Sequence, residues 1–140
     1  MPNGRVVIGT MGMDQHELGA IAVARILRDA GMEVVYAGRF NTPHSLVRIA
    51  VDEDADVIGV SCHSWEYVQY IPELLRLLEE FDAEASVVLG GSVITTADAE
   101  MMKHEGVAAV FLSGASSEEI VSGISALVRD RQERLATATL

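Results

Sequence analysis

The sequence predicts an α/β protein with a flavodoxin-like (Rossmann-like) sheet of five parallel strands in the order 2-1-3-4-5 and helices on both faces. Three observations predict it. Short apolar runs alternate with longer amphipathic ones from end to end. The short runs are continuous in β-branched and apolar residues, as strands buried on both faces are. The connections are short, which suits consecutive βα units, and 2-1-3-4-5 is a common order for five of them.

Taken in order, "RVVIG" (5–9), "EVVYAG" (33–38), "DVIGVS" (56–61), "SVVLGG" (86–91) and "AAVFLSG" (108–114) are the five strands. The first helix, over about 16–30, places Ile21, Ala24 and Leu27 on one stripe and ends at Gly31, suited to a left-handed C-terminal position. The second, over 43–54, opens with Thr42 as N-cap and Pro43 at its first position. Val68, Ile71, Leu75 and Leu78 give the third an apolar face. "TTADAEMMKHEG" and "SSEEIVSGISALVRDRQER" supply the fourth and fifth, each opened by Thr or Ser with acids in the first turn. The chain reads as one ligand-binding domain over 1–128, with 129–140 as the end of the last helix and a fraying tail.

At 140 residues, 49% hydrophobic and 22% charged, the chain is long enough for one real core. A net charge of −11 argues against nucleic-acid and anionic-membrane surfaces. No apolar stretch approaches the roughly 20 residues of a membrane-spanning helix. "MPNGR" lacks the features of a secretory signal, and one cysteine, Cys62, excludes an internal disulfide; both suit a cytoplasmic protein.

In a sheet of this order, ligands bind beyond the carboxyl ends of strands 1 and 3, where the order reverses. The loops there are "TMGMDQHELG" and "SCHSWEY", which concentrate Asp14, His16, Ser61, Cys62, His63 and Trp65. A metal-ligating histidine usually donates its other ring N–H to a carboxylate, and Asp14-x-His16 can supply such a pair if Gly12 gives the loop a non-helical path. Gly19 lets the helix approach something bulky. The plainer alternative makes Asp14 a helix cap and His16 a polar first-turn residue. A zinc site from His16, Cys62 and His63 is a weaker alternative, since it assumes its geometry. His44 and His104 read as solvated surface residues. Trp65, Tyr67 and Tyr70 either pack at a helix end or form a contact surface.

Taken together, "MDQHELG", "GVSCH" and "VVLGGSV" resemble the cobalamin-binding domain of the adenosylcobalamin-dependent mutases. That family's pattern is Asp-x-His-x-x-Gly, Ser-x-Leu and Gly-Gly. Asp14, His16 and Gly19 complete the first part and Gly90 and Gly91 the third; Ser61 stands in the second, with His63 at the leucine position. The resemblance implies that His16 coordinates cobalt from below, with Asp14 bonded to its far nitrogen. It implies that Ser61 offers a hydroxyl to the benzimidazole of the cofactor's nucleotide tail, and that His63 lies near that tail. Gly90, Gly91 and, less directly, Gly114 would leave it room. The run from "ARILRDAG" to "DVIGVS" looks closer to acyl-CoA mutases, such as methylmalonyl-, isobutyryl- and 2-hydroxyisobutyryl-CoA mutase. Thr10 stands where several of these have a lysine that contacts the Asp.

The function implied by the resemblance is that of a small subunit of a cobalamin-dependent isomerase, inactive alone. It would hold adenosylcobalamin for a radical carbon-skeleton rearrangement while a larger subunit binds the acyl-CoA. No residue here is a good general acid or base for that rearrangement. The alternative is a stand-alone corrinoid-binding module: a methyl carrier, sensor or storage protein. Methyl carriers normally place a helical cap before the first strand. A signalling receiver needs an Asp ending strand 3 and a Lys ending strand 5, where Ser61 and Ser113 stand. An FMN-binding flavodoxin needs a hydroxyl-rich phosphate loop, and "TMGMDQHELG" carries acids that would repel phosphate.

Overall fold

A computed structural model describes residues 4–13 and 16–138. The elements run β1 (Arg5–Met11), α1 (Leu18–Asp29), β2 (Glu33–Asn41), α2 (Pro43–Asp52), β3 (Val57–Ser61), α3 (Tyr67–Glu80), β4 (Ser86–Gly90), α4 (Thr96–Glu105), β5 (Ala109–Phe111) and α5 (Ser117–Ala138). The sheet order is β2-β1-β3-β4-β5, with every pair parallel, as expected. Alternation along β1 divides the core. Val7 and Met11 join one cluster with Leu46, Ile71, Leu74 and Met102 under α2, α3 and α4. Val6 and Ile8 join the other with Leu27, Ile124 and Val128 under α1 and α5.

Local chemistry sets the element ends. Thr42 accepts from the Ser45 amide and Ser45 bonds back to the Thr42 amide, a reciprocal cap with Pro43 as the first helical residue. Gly31 takes φ +96° after α1, where Met32 N–H reaches the Leu27 carbonyl. Thr95 and Ser116 cap α4 and α5 by accepting from the Asp98 and Glu119 amides.

The departures from expectation have physical reasons. β1 and β2 run on to Met11 and Asn41, through two register shifts. Buried Asn41 sustains them by donating to the carbonyls of Thr10 and Gly38, both at 3.0 Å. β5 is shorter than expected, ending at Phe111 ahead of a turn at 113–114. Ile21 and Val68 are exposed, so the apolar stripes of α1 and α3 are narrower at the core than their sequences suggest. The expected fraying tail is instead helical through Ala138. Arg131 reaches back from it to Asp54 at 2.7 Å and to buried Asp56 at 2.9 Å. Burial opposes the charge on Arg131, but the hydrogen bonds to the two carboxylates outweigh it and raise its pKa.

Candidate functional site at the carboxyl edge of the sheet

Under α1 and α5, at the carboxyl ends of the strands, lies an apolar cavity of about 350 Å³. Its floor is Ile8, Gly59 and Val88, and small residues of α1 (Gly19, Ala20, Ala22) keep its roof high. A Cβ on Gly59 would come within 2.6 Å of Ile8 Cδ1, so the floor is as low as β3 permits. Ser61, His63, Gly90, Gly91 and Gly114 all line the cavity together with Gly19. Six of the eight residues singled out by sequence therefore meet around one space.

The polar side of the cavity is a hydrogen-bonded row. Ser61 Oγ lies 2.9 Å from His63 Nε2, and His63 Nδ1 lies 3.0 Å from Ser92 Oγ. Gly91 makes this row possible. It sits at φ +144°, and a Cβ there would collide with the Cys62 carbonyl, so the backbone after β4 crosses directly against that after β3. Cys62 N–H donates to the Gly90 carbonyl at 2.6 Å across the same junction. Gly90 is different: a Cβ there would meet the Phe111 carbonyl at an ordinary 3.5 Å. Gly114 takes φ +94° in open space.

His16 is exposed just before α1, and its ring centroid lies 5.8 Å from that of His63. Because α1 begins at Leu18 with Glu17 at the N-cap, His16 precedes the helix rather than standing in its first turn. Asp14 lies outside the described residues. Met13 and Glu17, on either side of residues 14 and 15, each have side-chain partners from elsewhere in the chain. Glu66, at the start of α3, accepts from the Met13 amide at 3.1 Å, and Gly12 has the left-handed φ of +64° that the loop required. Glu17 accepts from the Tyr36 hydroxyl at 2.5 Å and pairs with Arg39 at 3.2 Å. Burial first, then the bond to Glu17, pushes the Tyr36 hydroxyl up to about 12.

Cys62 takes no part in the cavity. It is buried in the cluster under α3, with Sγ 3.6 Å from the Val60 carbonyl. Among the described residues, no group of three His, Cys, Asp or Glu side chains could hold a metal ion. Buried Tyr67 donates to Asp98 at 3.0 Å, and Tyr70 packs on Gly12, so two of the three aromatics are structural. Trp65 remains exposed. His44 and His104 are on the surface, as expected. Sequence reasoning missed Ser92, Glu66 and Glu17, whose partners come from distant segments of the chain. The small residues of α1, "LGAIAVA", were a legible sign of the cavity roof.

Comparison with known proteins bears on the family and the fold. The B12 binding domain family matches residues 4–122. The chain is 38% identical over 130 residues to the 2-hydroxyisobutanoyl-CoA mutase small subunit of Aquincola tertiaricarbonis, covering 93% of this chain and 96% of that protein. It is 36% identical to the pivalyl-CoA mutase small subunit of Xanthobacter autotrophicus, over 94% of this chain and 88% of that one. Against the methylmalonyl-CoA mutase of Escherichia coli it is 31% identical, over 92% of this chain but only 18% of that protein. Among solved structures, a cobalamin-binding protein from Desulfitobacterium hafniense superposes with a TM-score of 0.77 at 15% identity, over 89% of this chain and 59% of that one. The NarL receiver domain of Mycobacterium tuberculosis superposes with a TM-score of 0.71 at 19% identity, over 92% and 98%. The two shapes are shared by proteins of different function, so they establish the fold; the match over residues 4–122 establishes that the chain belongs to the B12-binding domain family.

Proposed function

We infer that this chain is the cobalamin-binding small subunit of a coenzyme-A-ester mutase, and that a larger subunit carries the substrate. The observation that carries this reading is the near end-to-end likeness to the 2-hydroxyisobutanoyl-CoA mutase small subunit. The residues present fit the cofactor. A nucleotide tail ending in a planar base needs a deep apolar slot with a polar group at one side, and the cavity between α1 and the sheet, bordered by Ser61 and His63, is such a slot. Gly19 adds to the fit: a Cβ there would come within 3.0 Å of His63 Nε2 and crowd the polar side.

In this reading His16 would ligate cobalt with Asp14 orienting its ring, Ser61 and His63 would border the tail, and Gly19, Gly90, Gly91 and Gly114 would leave room for it. When bound, adenosylcobalamin supplies a carbon-centred radical by homolysis of its cobalt–carbon bond. The chain's own part is placement. Glu66 and Glu17 hold the two ends of the loop that carries His16, which limits the directions its ring can take. The cavity takes the tail out of water. No described helix is long and apolar enough to cross a membrane; the single cysteine supports a cytoplasmic setting.

The test is electron paramagnetic resonance of the protein loaded with cob(II)alamin, prepared with ordinary and nitrogen-15 histidine, beside His16→Ala. The expected result is a superhyperfine splitting that changes with the label and disappears in the variant. A splitting still set by the cofactor's own benzimidazole would overturn the ligand assignment. Binding without a mutase partner in affinity purification from the native cell would favour the stand-alone module instead.

A further inference from the structure

We propose that His63 is a positioning residue: with Ser92 it holds the Ser61 hydroxyl as a hydrogen-bond donor into the cavity, so that the site prefers a tail base bearing an unprotonated ring nitrogen. The proposal rests on the cobalamin reading above and adds to it a role for the one motif position where this chain departs from the family pattern.

The argument turns on which ring nitrogen carries the proton. The Ser92 backbone N–H points at His63 Nδ1, with nitrogens 3.4 Å apart. A backbone amide can only donate, so Nδ1 must be the bare, accepting nitrogen; a proton on Nδ1 would set N–H against N–H. The Ser92 hydroxyl, 3.0 Å from the same atom, is then a second donor to it. A neutral imidazole with Nδ1 bare carries its proton on Nε2. Nε2–H therefore donates to Ser61 Oγ, 2.9 Å away, and occupies one of its lone pairs. Ser61 has a single proton, and it is left to point elsewhere than at His63. Ser61 and His63 both line the cavity, and Gly19 leaves the pair uncovered on the α1 side, where a Cβ would stand 3.4 Å from Ser61 Oγ.

The backbone enforces the row. Gly91, in a conformation closed to other residues, brings the chain after β4 against Cys62, and so sets Ser92 beside the ring two residues beyond Ser61. A leucine at position 63 would leave the serine hydroxyl free to rotate and to act as donor or acceptor. With His63 one lone pair of the hydroxyl is taken and its proton is turned away from the ring, which leaves that proton available to donate into the cavity. A benzimidazole accepts such a bond through its bare ring nitrogen; a phenolic tail has no ring nitrogen and leaves the donor less well satisfied in an apolar cavity.

Two measurements test this. Long-range proton–nitrogen correlation spectra of the protein without cofactor report the His63 tautomer directly; a protonated Nε2 and bare Nδ1 are expected, and a proton on Nδ1 overturns the proposal whether or not cobalamin binds. Dissociation constants for cobalamin, for a corrinoid with a phenolic tail and for tail-less cobinamide are then compared in the wild type and His63→Leu, with folding checked by circular dichroism. The wild type is expected to prefer cobalamin to the phenolic form by about ten-fold, and His63→Leu to reduce that ratio about five-fold while cobinamide binding is unchanged. An unchanged ratio in the variant overturns the role of His63 and leaves the cobalamin reading standing. Failure of the wild type to bind any of the three corrinoids overturns both.

Discussion

Two adjacent glycines at the end of β4 have different reasons for being glycine. Gly91 is demanded by the chain itself, through its φ of +144° and the Cys62 carbonyl that presses on it, whereas Gly90 has ordinary room beside Phe111. Gly91→Ala is therefore expected to cost about 3 kcal/mol or more, because strain and a backbone collision act together. Gly90→Ala should cost under about 1 kcal/mol. Urea unfolding of the two variants checks this, and equal losses would defeat the distinction. The double glycine was legible in the sequence as a motif, but its physical basis was not: the collision lies between strands, and a linear pattern carries no distance between Gly91 and Cys62. The same holds for Cys62, adjacent to two cavity residues yet buried in the core cluster under α3. That His16, Ser61 and His63 come near one another was legible, because each falls on a loop or strand end that the order 2-1-3-4-5 gathers at one edge.

The loop that carries His16 is held at its far end by the joint between α1 and β2, where Tyr36 and Arg39 grip Glu17. That joint has a pH signature. Burial and Glu17 raise the Tyr36 pKa from its ordinary 10 to about 12, so folding favours the protonated phenol. Its contribution to stability is fully present below pH 10 and is lost as pH rises through about 12, because the unfolded chain ionises first. Denaturant unfolding between pH 9 and 12 should show the wild type losing stability more steeply than Tyr36→Phe. Parallel curves would mean that the joint adds nothing specific. Subtracting the variant also removes the effect of Tyr67, whose hydroxyl is raised too, by burial and by its bond to Asp98. Element identities followed from the apolar periods, and the caps at Thr42, Thr95 and Ser116 from single residues. The ends of β1 and β2 did not, because buried Asn41 prolongs them through bonds to backbone carbonyls of both strands, a pairing that no local propensity encodes.

Across the molecule, the carboxyl edge of the sheet holds the candidate site while the opposite edge is tied together by charge. Asp56 is buried immediately before β3, where it accepts from the Arg5 amide of β1 at 2.9 Å and from Arg131 of α5 at 2.9 Å. Arg131 also meets the side chain of Asp54 at 2.7 Å, at a residue with φ +49° in the turn before β3. One guanidinium thus joins the last helix to the turn feeding a central strand, and α5 in turn walls the cavity with Ile120 and Ile124. A sequence pattern can show that an arginine interrupts an apolar face, but not which carboxylates across 75 residues will receive it. Arg131→Ala leaves the Asp56 carboxylate buried with one backbone donor, and removing one partner of a buried pair is far costlier than the net worth of the pair. The expected loss is about 3 kcal/mol in urea unfolding, with Arg131→Lys losing less because one charge remains. Asp56 also anchors Arg5, so Asp56→Asn, which keeps the acceptor oxygen but removes the charge, should fall between the wild type and Arg131→Ala. A loss under about 0.5 kcal/mol for Arg131→Ala would show that the end of α5 contributes no more than an ordinary surface helix.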